Sequence, residues 1–493
     1  MSPEKINYET LEANLVIIGG GGSGLTAAVT AAEKGVTGIV VIEKQGHLGG
    51  NSAMAMGLFA CDSPVQKAEM IDCRADECFK IAMNWAHWKV NPRIVRAFFD
   101  KSGDTIRWLE GKGFKFRLKK MYPNQIPVWH IPEGFGAGMI KVFTKNCENM
   151  GVKIIRNTSA GKILRGEKGE VTGVLAKDDQ GKELKIKSRS VVIASGGFSG
   201  NQELLKKYCL DYHDGMILQG NTFLKGDGLA LAADAGAAIA DTIPLLKIGG
   251  HVPDSKAREA FILRFIAQDP HTVWLNNQGK RFIDETVTFS WDCINAILRQ
   301  PDKVTFSLFD DRIRQDIEET GTVVTSPHPH EEKGMPGLKA DLREKAKLDN
   351  GHVMIIADNW DEIAGWMGVD ARILNATIAE YNSACDCGHD QVFAKDQKYL
   401  RPLLTPPYYA VRCCTAYHET LGGIKTNENM EVVDTRGSII PGLYVAGVIA
   451  DDWVPESYWS VLCSTAFGFA INSGRIAGAS TVDYISKYNG DNK

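Results

Sequence analysis

Four consecutive apolar residues, Leu15-Val16-Ile17-Ile18, run into a glycine cluster from Gly19 to Gly24, and an alanine-rich stretch from Leu25 to Lys34 follows before Gly35 ends it. A second apolar run, Gly38 to Ile42, closes at Glu43. Strand, turn, helix and strand in that order make a βαβ unit. Its strands are unbroken rather than alternating, which suits a parallel sheet covered by helices on both faces. Further strands are predicted at Val152 to Ile155, Val171 to Ala176, Glu183 to Lys187 and Ser190 to Ala194; the last opens into Ser195-Gly196-Gly197, a turn that lets backbone come close to a neighbour. From about Leu245 to Leu400 the texture changes, with scattered tryptophan, a Pro/His-rich piece at Ser326 to His330 and helical periodicity over Trp360 to Asn382. Pro402 to Pro407 reads as a re-entry linker. After Cys413 the glycine-and-strand pattern resumes through Val432-Val433-Asp434 and Gly442 to Gly447, then enters a long small-residue helix ending near Ala479. This pattern predicts a discontinuous α/β domain, 1-245 and 401-493, with a second domain inserted at 246-400.

The chain has 493 residues, 44% hydrophobic and 24% charged, enough for two or three domains with sizeable cores. Its formal net charge of -4 supplies no basic excess for a phosphate backbone, so nucleic acid is not an expected partner. Met1 to Asn14 is polar and lacks the apolar core of a signal peptide, and no apolar run approaches the ~20 residues that span a bilayer. The expectation is a cytoplasmic protein without a membrane span. None of the eleven cysteines falls in a Cys-x-x-Cys pattern, and Cys385, Cys387 and His389 fall short of the four convergent ligands of a zinc site. Reduced thiols and no metal are expected.

Gly19, Gly21 and Gly24 fit G-x-G-x-x-G between a strand and a helix, 19 residues ahead of Glu43. In such a turn the first glycine makes the tight bend, the second admits a pyrophosphate, and the third lets helix pack on strand. The helix N-terminus meets the phosphate charge, and the acidic residue accepts hydrogen bonds from ribose hydroxyls. A Rossmann-type dinucleotide site is therefore expected at the first βαβ unit.

The motifs beyond Glu43 carry a resemblance. Glu43-Lys44 with Gly49-Gly50-Asn51-Ser52, Ala194-Ser195-Gly196-Gly197-Phe198, Gly226-Asp227-Gly228, Asn276 with Gly279-Lys280-Arg281-Phe282, His418-Glu419-Thr420-Leu421-Gly422-Gly423, and Pro441-Gly442-Leu443-Tyr444 with Ala446-Gly447 stand in one order across nearly the whole chain. In these the sequence resembles the fumarate reductase and succinate dehydrogenase flavoproteins and their relatives, the 3-ketosteroid Δ1-dehydrogenases. The resemblance implies FAD held by both ends of the chain, an inserted α+β capping domain, and a helix from about Thr465 to Ile476 aimed at the flavin. It implies cofactor contacts from Gly19, Gly21, Gly22, Ser23, Gly24, Glu43, Lys44, Gly49, Gly50, Asn51, Ser52, Met56, Gly57, Ala194, Ser195, Gly196, Asn201, Asp227, Gly447, Ser460 and Ser464. Where membrane-bound members attach FAD covalently through a histidine after the glycine pair, this chain has Asn51-Ser52, with His47 before the pair, so non-covalent FAD is expected.

The same resemblance places two substrate arginines where this chain reads Thr286 to Trp291 and Glu456 to Val461. Burying a dicarboxylate without fixed cations costs several kcal/mol per charge, so the chain is not expected to be a true fumarate reductase. Phe289, Trp291, Tyr458 and Trp459 stand there instead and suit a flat, largely neutral guest. The expected reaction is hydride transfer between flavin N5 and a carbon next to a carbonyl. It would saturate an activated C=C bond or run in reverse, with Tyr458 and His418 polarising the carbonyl or moving the proton. His251 and Arg264 are further candidates. Arg281 suits an ion pair better, and Tyr122, Trp129 and His130 serve equally as pocket wall or core. Two alternatives stay open: a flavin oxidase or dehydrogenase acting on C-OH or C-N bonds, and an electron-transfer flavoprotein without its own substrate, against which a cap of roughly 150 residues argues. The expected partners are a small-molecule substrate and a separate electron donor or acceptor.

Overall fold

A computed structural model describes residues 9–120, 122–123, 125–253, 261–290, 292–324 and 334–490. The Pro/His-rich piece at Ser326 to His330 lies outside these. The early apolar runs form the middle of a sheet ordered Glu431–Val433, Ile439–Val445, Glu183–Ile193, Glu9–Ile18, Ile39–Ile42 and Lys153–Ile155, in which every pairing but the first is parallel. Leu15 to Ile18 and Ile39 to Ile42 are buried, which is why they are uniformly apolar. An antiparallel flap of Thr158–Arg165 and Val171–Asp178 extends from Glu183–Ile193. That last strand was expected as two, Glu183 to Lys187 and Ser190 to Ala194, divided at Ser188 and Arg189. It is continuous: both serines are buried, and the Ser188 hydroxyl donates to the Ser190 carbonyl.

The first helix, Gly22–Glu33, begins inside the glycine cluster, earlier than its alanine-rich body suggested. It packs against the C-terminal helix Thr465–Gly490, which runs well past Ala479. The periodic stretch from Trp360 is two helices, Trp360–Met367 and Ala371–Cys387. Gly368 ends the first in the left-handed region (φ 73°), and Asp370 caps the second by accepting from the Arg372 amide.

A second sheet is built around the long strand Tyr408–Thr420. Its first half pairs with Thr305–Asp310 and Met354–Ala357, and its second half with Leu245–His251 and Ile217–Leu218. The apolar side chains divide accordingly. One large core draws on residues up to Ile248 and again from Ala416, while another draws on Val252 to Cys413. Residues 401–413, grouped in sequence with the C-terminal segment, pack into the second core because this strand is long enough to serve both. The molecule is thus a Rossmann-type α/β domain with an inserted α+β capping domain. Among the described residues no helix is long and apolar enough to cross a membrane, no cluster of three His, Cys, Asp or Glu could hold a metal, and no cysteine is in a disulfide.

The cap encloses an ionic network. Arg281 bridges Glu285 at 3.1 Å and Asp390 at 2.8 Å, and Lys395 reaches Glu285 at 3.0 Å, all four side chains being buried. Burial works against ionisation of Glu285, but the two cations opposite hold its carboxyl below the usual range. Removing one buried partner leaves a charge uncompensated, so Lys395→Met should lower stability by about 3 kcal/mol. Urea unfolding will measure this, and an unchanged midpoint would show that the network carries no stability.

Candidate active site

Between the two ends of the chain lies a cleft of about 1110 Å³. Its floor is the glycine turn. Gly19 has φ +112°, and a Cβ there would stand 2.4 Å from the Ala194 carbonyl oxygen, so only glycine lets the two strand ends meet. A Cβ on Gly24 would stand 2.0 Å from the Gly19 carbonyl oxygen, which makes it the packing glycine beneath the turn rather than part of the cleft wall. Over Gly21 the nearest protein atom would be 3.7 Å from a Cβ, leaving open space just where the helix N–H groups point. Glu43 faces the cleft with Oε2 accepting from the Gly20 amide and Oε1 from the Gln45 amide, each at 2.8 Å. Each oxygen keeps a second lone pair for a hydroxyl donor.

Gly22, Ser23, Lys44, Gly49, Gly50, Asn51, Ser52, Ala194, Ser195, Gly196, Asp227 and Gly447 line the same cleft, and Lys44 pairs with Asp227 across it. A helix N-terminus, an unobstructed glycine backbone and a carboxylate together fit the diphosphate and ribose of a dinucleotide. Asn201 stands elsewhere: its carboxamide accepts from the Leu204 amide and donates to the Lys225 carbonyl, capping the helix Gln202–Tyr208. Its placement near Gly196-Gly197 in sequence reflects that cap.

A second cavity, about 900 Å³, opens from the first. Asn51, Ala55, Glu419, Ala466 and Phe467 line both. Met56, Gly57, Ser460 and Ser464, expected at the cofactor, line this second cavity, together with Met54, Gln125, Trp129, Gln219, Leu246, His418, Tyr458 and Cys463. The C-terminal helix starts here. The Tyr458 hydroxyl accepts the Ala466 amide at 2.8 Å within the helix's first turn, and burial holds its proton tightly.

His418 sits near the end of the strand Tyr408–Thr420. Burial, reinforced by the charges of Arg264 and His251, pushes its pKa down to about 3, so the ring is a neutral hydrogen-bonding group at physiological pH. Arg264 and His251 stand behind it and line neither cavity. The Nδ1 of His251 lies 2.9 Å from the Val252 carbonyl oxygen. No carboxylate pairs with Arg264 among the described residues; its buried Nε has no hydrogen-bond partner, and burial lowers its proton affinity.

Other expected wall residues serve the core. Trp459 packs edge-on against Phe99 and Trp453, and Tyr122 clusters with Phe265, Val324 and Tyr399. His130 is buried, with Nδ1 donating to the Val128 carbonyl and Nε2 accepting from the Ser63 hydroxyl. Trp291 lies outside the described residues, as does the side chain of Phe289. Glu419 was quoted only as part of a motif, yet it faces both cavities. His418 and Glu419, adjacent at the end of the strand, both line the second cavity, and Glu419 reaches the first as well. Burial pushes the Glu419 pKa up to about 7, against a 3.1 Å hydrogen bond from Asn51 Nδ2.

A sequence model described as "FAD binding domain" matches residues 14–454. Vinyl phenol reductase of Lactiplantibacillus plantarum is 29% identical over 483 residues, 96% of each chain. Fumarate reductase (cytochrome) of Shewanella frigidimarina is 27% identical over 480 residues, covering 96% of this chain and 78% of that protein. The crystal structure of 3-ketosteroid delta1-dehydrogenase from Sterolibacterium denitrificans superposes with a TM-score of 0.77 at 18% identity, over 96% of this chain and 99% of that one, a likeness of fold.

The glycine turn yields a paired test. Gly21→Ala should leave the fold intact while weakening flavin binding at least tenfold, a loss of about 1.4 kcal/mol. Gly24→Val should cost both flavin and thermal stability. Flavin-to-protein ratio after gel filtration and the melting temperature of each variant separate the two, and equal behaviour would contradict the assigned roles.

Proposed function

The chain belongs to the FAD binding domain family and is an FAD-dependent oxidoreductase, and from that premise we propose that it reduces a carbon–carbon double bond conjugated to a carbonyl or an electron-poor ring on a flat, largely neutral substrate. The observation that carries this reading is the chemistry of the second cavity. Its walls are Met54, Met56, Leu246, Trp129 and Phe467 interleaved with Gln125, Gln219, His418, Glu419 and Tyr458, and among the described residues its lining contains no lysine or arginine. Among the described residues a dicarboxylate would find no direct cationic partner there. The vinyl phenol reductase similar to this chain from end to end supports the same substrate class.

When bound, FAD supplies the hydride, and the residues do the rest. Gly21, Gly22 and Ser23 at the helix N-terminus hold the diphosphate, and Glu43 holds a ribose. Asn51 stands where a covalent histidine would be, with its carboxamide engaged by Glu419 and by the Asn221 amide, which supports non-covalent FAD. Tyr458 accepts the Ala466 amide at the positive end of the C-terminal helix, which polarises its own O–H toward a substrate oxygen or carbon. His418, kept neutral, orients the activating group by hydrogen bonding, with Arg264 and His251 behind it. The cap 246-400 keeps water from the reacting atoms. The electrons come from a separate donor.

Reduced protein mixed anaerobically with a panel of enones, hydroxystyrenes and fumarate should be reoxidised by the neutral conjugated compounds and not by fumarate. Tyr458→Phe should lower the reoxidation rate by about 10²-fold or more. Because His418 is already neutral well below neutral pH, lowering the pH from about 8 to 5 should add no ionisation of its own to the rate profile. Fumarate as the fastest oxidant, or wild-type rates in both Tyr458→Phe and His418→Ala, would overturn this assignment.

A further inference from the structure

The five residues shared by the two cavities define where the reacting ring belongs, because a hydride passes only between atoms about 3–3.5 Å apart. Of Asn51, Ala55, Glu419, Ala466 and Phe467, Glu419 alone can ionise. Its position is fixed. Asn51 Nδ2 donates to Oε2 at 3.1 Å, and Asn51 is itself held by the Asn221 amide, which donates to its Oδ1 at 2.9 Å. Oε1 has no protein hydrogen-bond partner among the described residues.

No charged group among the described residues pairs with this carboxyl, although its charge is felt by the buried Tyr458 hydroxyl. On its own strand His418 is neutral and lines the same second cavity, with the charges of His251 and Arg264 acting on it and neither of them lining a cavity. From the segment ahead of the C-terminal helix comes Tyr458, uncharged. In the cofactor cleft Lys44 is paired with Asp227, Glu43 is held by two backbone amides, and His47 lies on the wall. None of them forms an ion pair or hydrogen bond with Glu419 among the described residues. A lone carboxylate beside a ring that gains negative charge on reduction must either repel it or take up a proton.

We propose that Glu419 binds a proton in step with reduction of the cofactor, so that the site gains one proton beyond the cofactor's own requirement for every two electrons. This rests on the FAD reading of the cleft. In balance, two electrons and one proton go to the ring, and a second proton joins the Glu419 carboxylate. On reoxidation the hydride leaves to one alkene carbon and Glu419 releases its proton, so that hydride and proton together equal the two hydrogens that saturate the bond. A pKa near 7 before reduction puts this exchange in the physiological range.

Potentiometric titration of the flavin-loaded protein with dithionite, repeated between about pH 6 and 9, tests the linkage. Above about pH 7 the wild-type potential should fall with pH about twice as steeply as that of Glu419→Gln, and the two curves should draw together at the acid end. Should Glu419→Gln not retain flavin, the wild type alone decides: at about pH 8, with the reduced ring shown by its absorbance to be anionic, two protons taken up per two electrons support the proposal, and one overturns it. Parallel slopes in the two proteins overturn it as well. A folded protein that takes up no flavin would overturn the cofactor reading itself, whereas bound flavin with parallel slopes refutes only the role of Glu419.

Discussion

The site depends on one close approach of backbone to backbone, between the first helix of the chain and the last. A Cβ on Gly474 would lie 2.4 Å from the Ser23 carbonyl oxygen, and one on Gly478 would lie 2.5 Å from that of Ala27. Small residues let the two helices pack at a distance that larger side chains would forbid. Their contact sets the N-terminus of Gly22–Glu33, suited to diphosphate, and that of Thr465–Gly490, with Tyr458 bound to it, around connected cavities. Both helix ends present positive dipole toward a cofactor that carries negative charge. Residues more than 400 positions apart in sequence thereby become one site.

Charge is handled differently in the cap's interior and at the wall of the second cavity. In the cap, Arg281, Glu285, Asp390 and Lys395 neutralise one another and hold structure. At the cavity wall the polar groups are neutral or poised, namely His418 stripped of its proton by burial, Tyr458 retaining its own, and Glu419 with its pKa pushed up by burial to about 7. Arg264, with no carboxylate opposite, contributes its field from behind His418 rather than a contact at the wall. Such an arrangement favours a substrate recognised by hydrogen bonds and flat apolar surface over one recognised by its charges.

The early βαβ unit was legible because its signals are local: uniform apolar runs, glycines at fixed spacing and an acidic residue at the second strand's end. The glycine turn was legible for the same reason, since a glycine required by a close approach leaves its mark at one position. What sequence concealed is what depends on neighbours distant in the chain. Trp459 sits beside Tyr458 yet turns into the core against Phe99 and Trp453, and Asn201 caps a helix although it follows the Gly196-Gly197 turn closely. Met56, Gly57, Ser460 and Ser464 belong to the adjoining cavity, a distinction that only the packed cavities draw. Glu419 was hidden by the histidine beside it, because only the packed cavities show that both side chains reach the same space.

The strand Tyr408–Thr420 threads both cores and carries His418 and Glu419 near its end. It is a girder common to two rooms, and main-chain hydrogen bonds fasten it along nearly its whole length. Were the cap's sheet to shift against the cofactor domain, the strand would have to bend or move with it, and the imidazole and the carboxyl ride near its tip.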